Sequence, residues 1–383
     1  MHMCLSRKIT PTRIHRTLVI LALALLTGCA GTPRPDDTGA LFFPPPPDLP
    51  RLQYLTRFST PSDVETESMG LRDFIVGEDS LGDHLVRKPF GVAMYDGKIY
   101  VADTRGHGYG IFDLKNKRTD LVQGSAGGAM KKPINITIDT DGTKYVTDTD
   151  RNQVLVFDVN DRFVRAIGTP DQFKPIDVLI VDDKLYVSDL YHHQIQVLDK
   201  AGGETLFTFG KAGSGDGELF QPTSLALGPD HSLYISDTGN FRIQKYSLDG
   251  KFIRGYGSVG DAVGHFARPK GIAVDREGRI YIIDAAFENV QILKNDGTPL
   301  MFFGKPGDKR GDINLPTEIV IDYDNLEYFQ HYAAPGFNLE YVVLIASQFG
   351  INKVVAFGFG KMEGLNYDAA PQPAADTEDE NKQ

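Results

Sequence analysis

Short apolar runs recur along this chain at a nearly fixed interval, each opened by a proline. The prolines are Pro89, Pro133, Pro175, Pro222, Pro269 and Pro316, spaced by 42 to 47 residues. Behind each of the first five comes the same order of signals. An apolar run such as Gly271-Ile272-Ala273-Val274-Asp275 leads to a turn, and then to Tyr-Val/Ile-x-Asp. The last phrase occurs as Tyr100–Asp103, Tyr145–Asp148, Tyr186–Asp189, Tyr234–Asp237 and Tyr281–Asp284. A third run of the type Gln153-Val154-Leu155-Val156-Phe157 follows, and then an aromatic run ending in glycine, as in Thr205-Leu206-Phe207-Thr208-Phe209-Gly210. Asp141-Gly142, Asp249-Gly250, Glu277-Gly278 and Asp296-Gly297 supply tight hairpin turns between such runs. A proline cannot donate to a strand ladder, so it marks the entry to the first strand of each unit. Units of about 40–50 residues with four short strands each predict propeller blades. The expected fold is all-β: a six-bladed β-propeller with four-stranded blades.

The sixth unit departs from the pattern. Its second strand arrives late, at Tyr341–Ala346, its third is Lys353–Phe357, and no aromatic fourth run follows. A run of that type lies at the other end of the chain, at 52–58. The ring is therefore expected to close by the N-terminal strand pairing into the last blade, since an open edge invites aggregation.

The ends outside the repeat carry other signals. Arg7, Lys8, Arg13 and Arg16 precede an apolar stretch, Leu18–Leu26, that is too short to span a bilayer. Leu26-Thr27-Gly28-Cys29 follows and resembles a bacterial lipobox. Residues 1–28 are then a removed lipoprotein signal peptide, and Cys29 is the lipidated N-terminus. Ala30 after it points to the outer membrane in a Gram-negative cell, with a periplasmic or surface position left open. Residues 29–50 include four consecutive prolines, Pro44–Pro47, and read as a semi-rigid tether. The propeller is assigned to 51–361, and 362–383 to an acidic disordered tail.

Cys4 and Cys29 are the two cysteines, so the mature chain holds no disulfide, and covalent haem and thiolate zinc are excluded. The formal charge is −11, and removing the leader's four cations makes it about −15. Nucleic acid is an unsuitable partner for so acidic a chain.

The Pro-x-Gly-Ile-Ala-Val-Asp, Tyr-Ile-x-Asp and Val-Gln-Ile phrases resemble NHL-repeat propellers. The stretch from Pro44 to Tyr54 and the long last-blade insert are similar to bacterial six-bladed NHL lipoproteins. The resemblance covers roughly 44–361. It implies the fold firmly and activity weakly, since such propellers include binding scaffolds as well as lactonases and lyases.

Residues that break the repeat are the candidates for function. The five repeated aspartates are expected to bind backbone N–H groups of the following turn, because five equivalents around a ring do not make one metal centre. Lys88, Lys132, Lys174 and Arg268 each precede a repeat proline and are expected at the mouth of the central channel, facing an anion or an acidic glycan. Two residues after the prolines stand Gly91, Asn135, Asp177, Ser224, Gly271 and Glu318. Asn135, Asp177 and Glu318 are the polar exceptions and the candidates for a channel ligand. The lactonase resemblance places a Glu, an Asn and an Asp around calcium, although the motif around these three differs. His107, Tyr191, His192 and His193 on two enlarged turns are candidate contacts. Of these, His107, Tyr191 and His192 are also the stand-ins for the catalytic residues of lyase-like relatives. The insert 326–339 carries Tyr328, Phe329, Tyr332 and Phe337, which either fold over the blade or form a docking surface.

The function expected is that of a membrane-anchored envelope propeller that binds a protein or glycan without chemistry of its own, with no cofactor and no resident metal. Some relatives of this kind occur beside multihaem cytochromes of the envelope, which names one candidate partner. The competing reading is a calcium- or zinc-dependent lactonase or lyase.

Overall fold

The computed structural model describes residues 39–65, 84–169 and 172–367. The expected signal sequence, Cys29 and the tail from 368 onward lie outside the described residues. Blade 1 is built from the antiparallel strands Pro89–Tyr95, Lys98–Asp103, Gly108–Asp113 and Arg118–Val122, each paired to the next. Blades 2 to 5 repeat this order over 133–167, 175–209, 222–256 and 269–303. The turns between strands adopt the conformations their residues favour. Gly142, Gly250, Gly278 and Gly297 sit at φ between 79° and 91°, a region where a Cβ would be strained.

Blade 6 consists of Pro316–Asp322, Phe337–Ser347, Val354–Met362 and the N-terminal strand Leu52–Phe58. Leu52 lies opposite Phe359 and Phe58 opposite Val354. The ring is thus closed as the sequence predicts, by the first long strand completing the last blade. A fifth strand, Phe42–Phe43, then pairs with Leu52 and Gln53. This corrects the reading of 29–50 as tether throughout. Phe43 packs on Phe303 and Phe357, with ring centroids 6.0 Å away in each case, so Leu41 and Phe43 belong to the packed core between blades 5 and 6. At the other end Tyr367 donates a hydrogen bond to the Pro50 carbonyl at 2.8 Å, and Arg51 lies over its ring. Contacts with the propeller therefore continue past 361, to Tyr367.

The apolar core is divided into six clusters, each between two consecutive blades. Leu52, Tyr341 and Phe357 of blade 6 meet Tyr281 and Val290 of blade 5. On its other side Phe58, Val342 and Val354 meet Val92, Val101 and Phe112 of blade 1. Each blade buries both sheet faces against its neighbours, which is why its middle strands read as nearly continuous apolar runs. Burial of this kind stabilises by roughly 25 cal/mol per Å² of apolar surface, so the interfaces rather than any single blade hold the ring.

Candidate functional site

The first strand of every blade bulges just after its proline. The register shifts between Pro89 and Val92, and at the equivalent place in the other five blades. A bulge re-aims side chains, and here it places the residue two after the proline at the channel axis. Asn135, Asp177, Ser224 and Glu318 meet there, each 5% exposed or less. Asn135 Nδ2 donates to Asp177 Oδ1 at 2.6 Å and to Glu318 Oε2 at 3.3 Å. Ser224 Oγ donates to Glu318 Oε1 at 3.1 Å and accepts the Ile272 N–H. The Leu225 N–H donates to Asp177 Oδ2 at 2.7 Å. The network ties the inner strands of blades 2 to 6 across the axis. Gly91 and Gly271 complete the layer because nothing larger fits: a Cβ at Gly91 would lie 2.0 Å from Asn135 Oδ1, and one at Gly271 2.8 Å from Glu318 Cα.

Burial pushes the Asp177 carboxyl up to about 6, and pushes Glu318 well above the usual carboxylate range, with the Asp177 charge adding to the effect. Among the described residues neither carboxylate has an ion-pair partner. The pair therefore holds a proton, and the three N–H donors on Asp177 favour placing it on Glu318. The three expected channel residues are thus brought together, as a layer that plugs the channel. Their oxygen chemistry suits a hard cation, but the arrangement does not fit one. Asn135 presents its NH₂ to the carboxylates and turns Oδ1 to the Ile136 N–H, and the carboxylate oxygens are already bound by N–H and O–H donors.

Beyond this plug, toward the proline ends, the channel opens onto the face that carries the second-to-third-strand turns and the loops between blades. The repeated aspartates build that face. Asp103 accepts the N–H groups of Arg87, Lys88 and Arg105 at 2.7, 2.9 and 3.0 Å. Asp148, Asp189, Asp237 and Asp284 act alike, each taking an N–H from the segment just before its proline. They bind more than the following turn: each clamps that turn to the residues leading into the proline. The backbones that carry the cations are fixed in this way. Lys132 lies 4.0 Å from Asp150, while Lys88, Lys174 and Arg268 have no ion-pair partner among the described residues. Lys270, one residue after Pro269, is 8% exposed, stacks over Phe90, and likewise has no ion pair among those residues. Burial, with Arg268 and Lys88 nearby, pushes its ammonium down to about 8. Lys270 escaped the sequence reading although it is the one charged residue at the x of Pro-x-Gly, where the other blades carry Phe, Ile or Thr.

The histidines do not converge. His107 bonds the Lys131 carbonyl of blade 2, His192 Nδ1 bonds Asp189 Oδ2 at 2.6 Å, and His193 Nδ1 accepts the Gln221 N–H. No group of three metal-ligating His, Cys, Asp or Glu side chains is present among the described residues. Tyr191 stands beside His192 and is exposed.

The insert corrects the docking-surface alternative. Phe329 and Phe337 are buried, Phe329 against Phe58 and Phe337 against Phe42. Tyr328 and Tyr332 are partly buried against the core between blades 6 and 1. Asn325 Oδ1 accepts the Gly97 N–H at 2.7 Å, so the insert straps blade 6 to blade 1. The turns of blades 3 to 6 each carry an exposed ring, Tyr191, Phe241, Phe287 and Phe349; Phe220, in the segment entering blade 4, and Phe302, on the outer strand of blade 5, are exposed as well.

Residues 169–255 match the model of a family described as a 6-bladed beta-propeller. A stretch of 162 residues is 28% identical to peptidyl-glycine alpha-amidating monooxygenase of Mus musculus, and covers 38% of this chain and 16% of that enzyme. Among solved structures, a gluconolactonase of Xanthomonas campestris superposes with a TM-score of 0.53 at 15% identity, over 84% of this chain and 97% of that one. An auxiliary nutrient binding protein of Bacteroides thetaiotaomicron gives 0.54 at 14% identity, over 72% and 70%. At these identities the likeness is one of fold. The chain is a six-bladed β-propeller, closed through its own N-terminal strand.

Proposed function

We propose that this propeller is a binding module of the cell envelope, held to the membrane by lipid on Cys29, and that it takes acidic glycan on its turn face without chemistry of its own. One observation carries the reading. Four turns on one face each present an exposed aromatic ring, and the same face bears the cations Lys88, Lys174 and Arg268, unpaired among the described residues. Tyr191 is 69% exposed, Phe349 54%, and Phe241 and Phe287 37% each. The rings stand on separate blades, so they do not form the contiguous apolar centre on which a protein interface is built. They suit a ligand that offers repeated small apolar faces and negative charge, as an acidic polysaccharide does. The rest of the chain is acidic and repels such a ligand, which confines it to this face.

The test is retention of the full chain, in non-ionic detergent, on immobilised polyuronate against a neutral glucan. Retention should be specific to the polyuronate, weaken with salt, and fall at least tenfold in a Tyr191→Ala, Phe241→Ala, Phe287→Ala variant. Equal behaviour on both matrices would sink the reading. So would a stoichiometric, chelator-removable divalent cation at the channel centre, which favours the lactonase-like alternative. For the anchor, Cys29→Ser should shift the protein from the membrane fraction to the soluble one.

A further inference from the structure

A cavity of about 590 Å³ opens on the turn face where blade 6 meets blade 1. Its wall carries Arg87 and Lys88 from the segment entering blade 1, Arg105 from the turn of blade 1, and Phe349 and Lys353 from the turn of blade 6. His84 completes it. No acidic side chain lines it among the described residues. Arg87 and Arg105 are exposed, and among the described residues neither guanidinium has an ion pair or a side-chain hydrogen bond. Lys353 is 4% exposed, and its Nζ is fixed by the carbonyls of Arg87 and Gln348 at 3.1 and 3.4 Å. Lys88 Nζ lies 5.5 Å from the centre of the Phe349 ring. His84 Nδ1 is buried without a hydrogen-bond partner among the described residues. Burial, and Lys353 beside it, hold this imidazole below its ordinary range, which disfavours a charge on it.

Four cations in one concavity of an acidic protein raise the local potential and select anions. The kind of anion follows from charge, shape and room. A single carboxylate offsets one of the four charges, whereas a phosphomonoester near neutral pH offsets two. Guanidinium forks match phosphate oxygens in pairs. The volume exceeds what inorganic phosphate alone fills, and Phe349 offers an apolar wall for an organic body. We propose that this pocket binds a phosphomonoester, with the dianionic head between Arg87 and Arg105 and the organic body against Phe349. The inference rests on the turn face being the binding face, and narrows the ligand there from acidic glycan to one bearing phosphate.

Calorimetry of the full chain in non-ionic detergent, with glucose 6-phosphate, inorganic phosphate, glucuronate and glucose at one ionic strength, tests it. Glucose 6-phosphate should bind at least tenfold more tightly than glucuronate, inorganic phosphate should fall between them, and glucose should not bind. Arg87→Ala with Arg105→Ala should remove the phosphate preference while the thermal midpoint is unchanged. Lys251→Ala, on the exposed hairpin between the third and fourth strands of blade 4 and away from the turn face, should leave it intact. Dihexanoyl phosphatidic acid binding above glucose 6-phosphate assigns the head to a lipid and the pocket still stands. If glucose 6-phosphate binds no better than glucuronate while polyuronate retention persists, the phosphomonoester proposal is wrong and the broader reading survives. If neither ligand binds, both fail.

Discussion

The channel centre and the pocket between blades 6 and 1 both gather charged and polar side chains, and they differ in how those groups are satisfied. At the centre, Asp177, Glu318, Asn135 and Ser224 bind one another and the neighbouring backbone, out of water. In the pocket, Asp103 holds the backbones of Arg87, Lys88 and Arg105, while their side chains have no ion-pair partner among the described residues. Buried polar groups that are fully hydrogen-bonded rigidify a fold and specify one arrangement. Like charges held together without partners gain nothing from each other and keep their affinity for a ligand. The centre is read as scaffold and the pocket as a site, although the sequence made the centre look like the ligand position.

The largest effect is expected at the centre. Glu318→Ala strands the Ser224 hydroxyl and the Ile319 N–H, and leaves Asn135 with one partner fewer, inside a layer that cannot collapse because five inner strands hold it apart. Unsatisfied buried groups cost about 1–3 kcal/mol each, so the variant should lose about 3 kcal/mol or more in denaturant unfolding. The ligand affinity of its folded fraction should stay as it was. A variant as stable as the parent would break the comparison.

A smaller effect is tied to pH. The Asp177 carboxyl rises on folding, from its ordinary value of 3.8 to about 6. The folded chain then binds the proton more tightly than the unfolded one, so stability is highest below pH 4 and declines as pH rises toward 6. A rise of this size corresponds to roughly 3 kcal/mol at most for this group, shared with every other carboxylate in the observed profile. Asp177→Asn keeps the shape and removes the titration. Its denaturation midpoint should decline less than the parent's between pH 4 and 7, and profiles that run parallel would show that Asp177 takes up no proton beyond the one on Glu318.

Particular residues show how far the sequence reached. The repeat of proline, apolar run and Tyr-x-x-Asp is local, so six blades, the closing strand and the meeting of Asn135, Asp177 and Glu318 could be read from position in the repeat alone. The pocket could not. Lys353 and Arg87 are separated by 266 residues and touch only because the ring closes between blades 6 and 1. The insert stayed open between burial and docking for a related reason: the rings that cover Phe329 and Phe337 are Phe58 and Phe42, from the far end of the chain. Contacts across the closure carry no periodic signal.

The smallest effect separates the two halves of the pocket's ligand. Phe349 is 54% exposed, and apart from Lys88 above its ring it supports nothing in the core. Phe349→Ala should therefore leave the unfolding midpoint within about 0.5 kcal/mol of the parent. Stacking of an organic body on a solvent-facing ring, with the ordering of Lys88 over it, contributes about 0.5–1 kcal/mol. The affinity for glucose 6-phosphate should accordingly fall about twofold to fivefold, while that for inorganic phosphate, which has no body to stack, should hold. Equal losses for the two ligands would mean that Phe349 positions Lys88 rather than touching the ligand, and that the contrast between pocket and channel centre rests on charge alone.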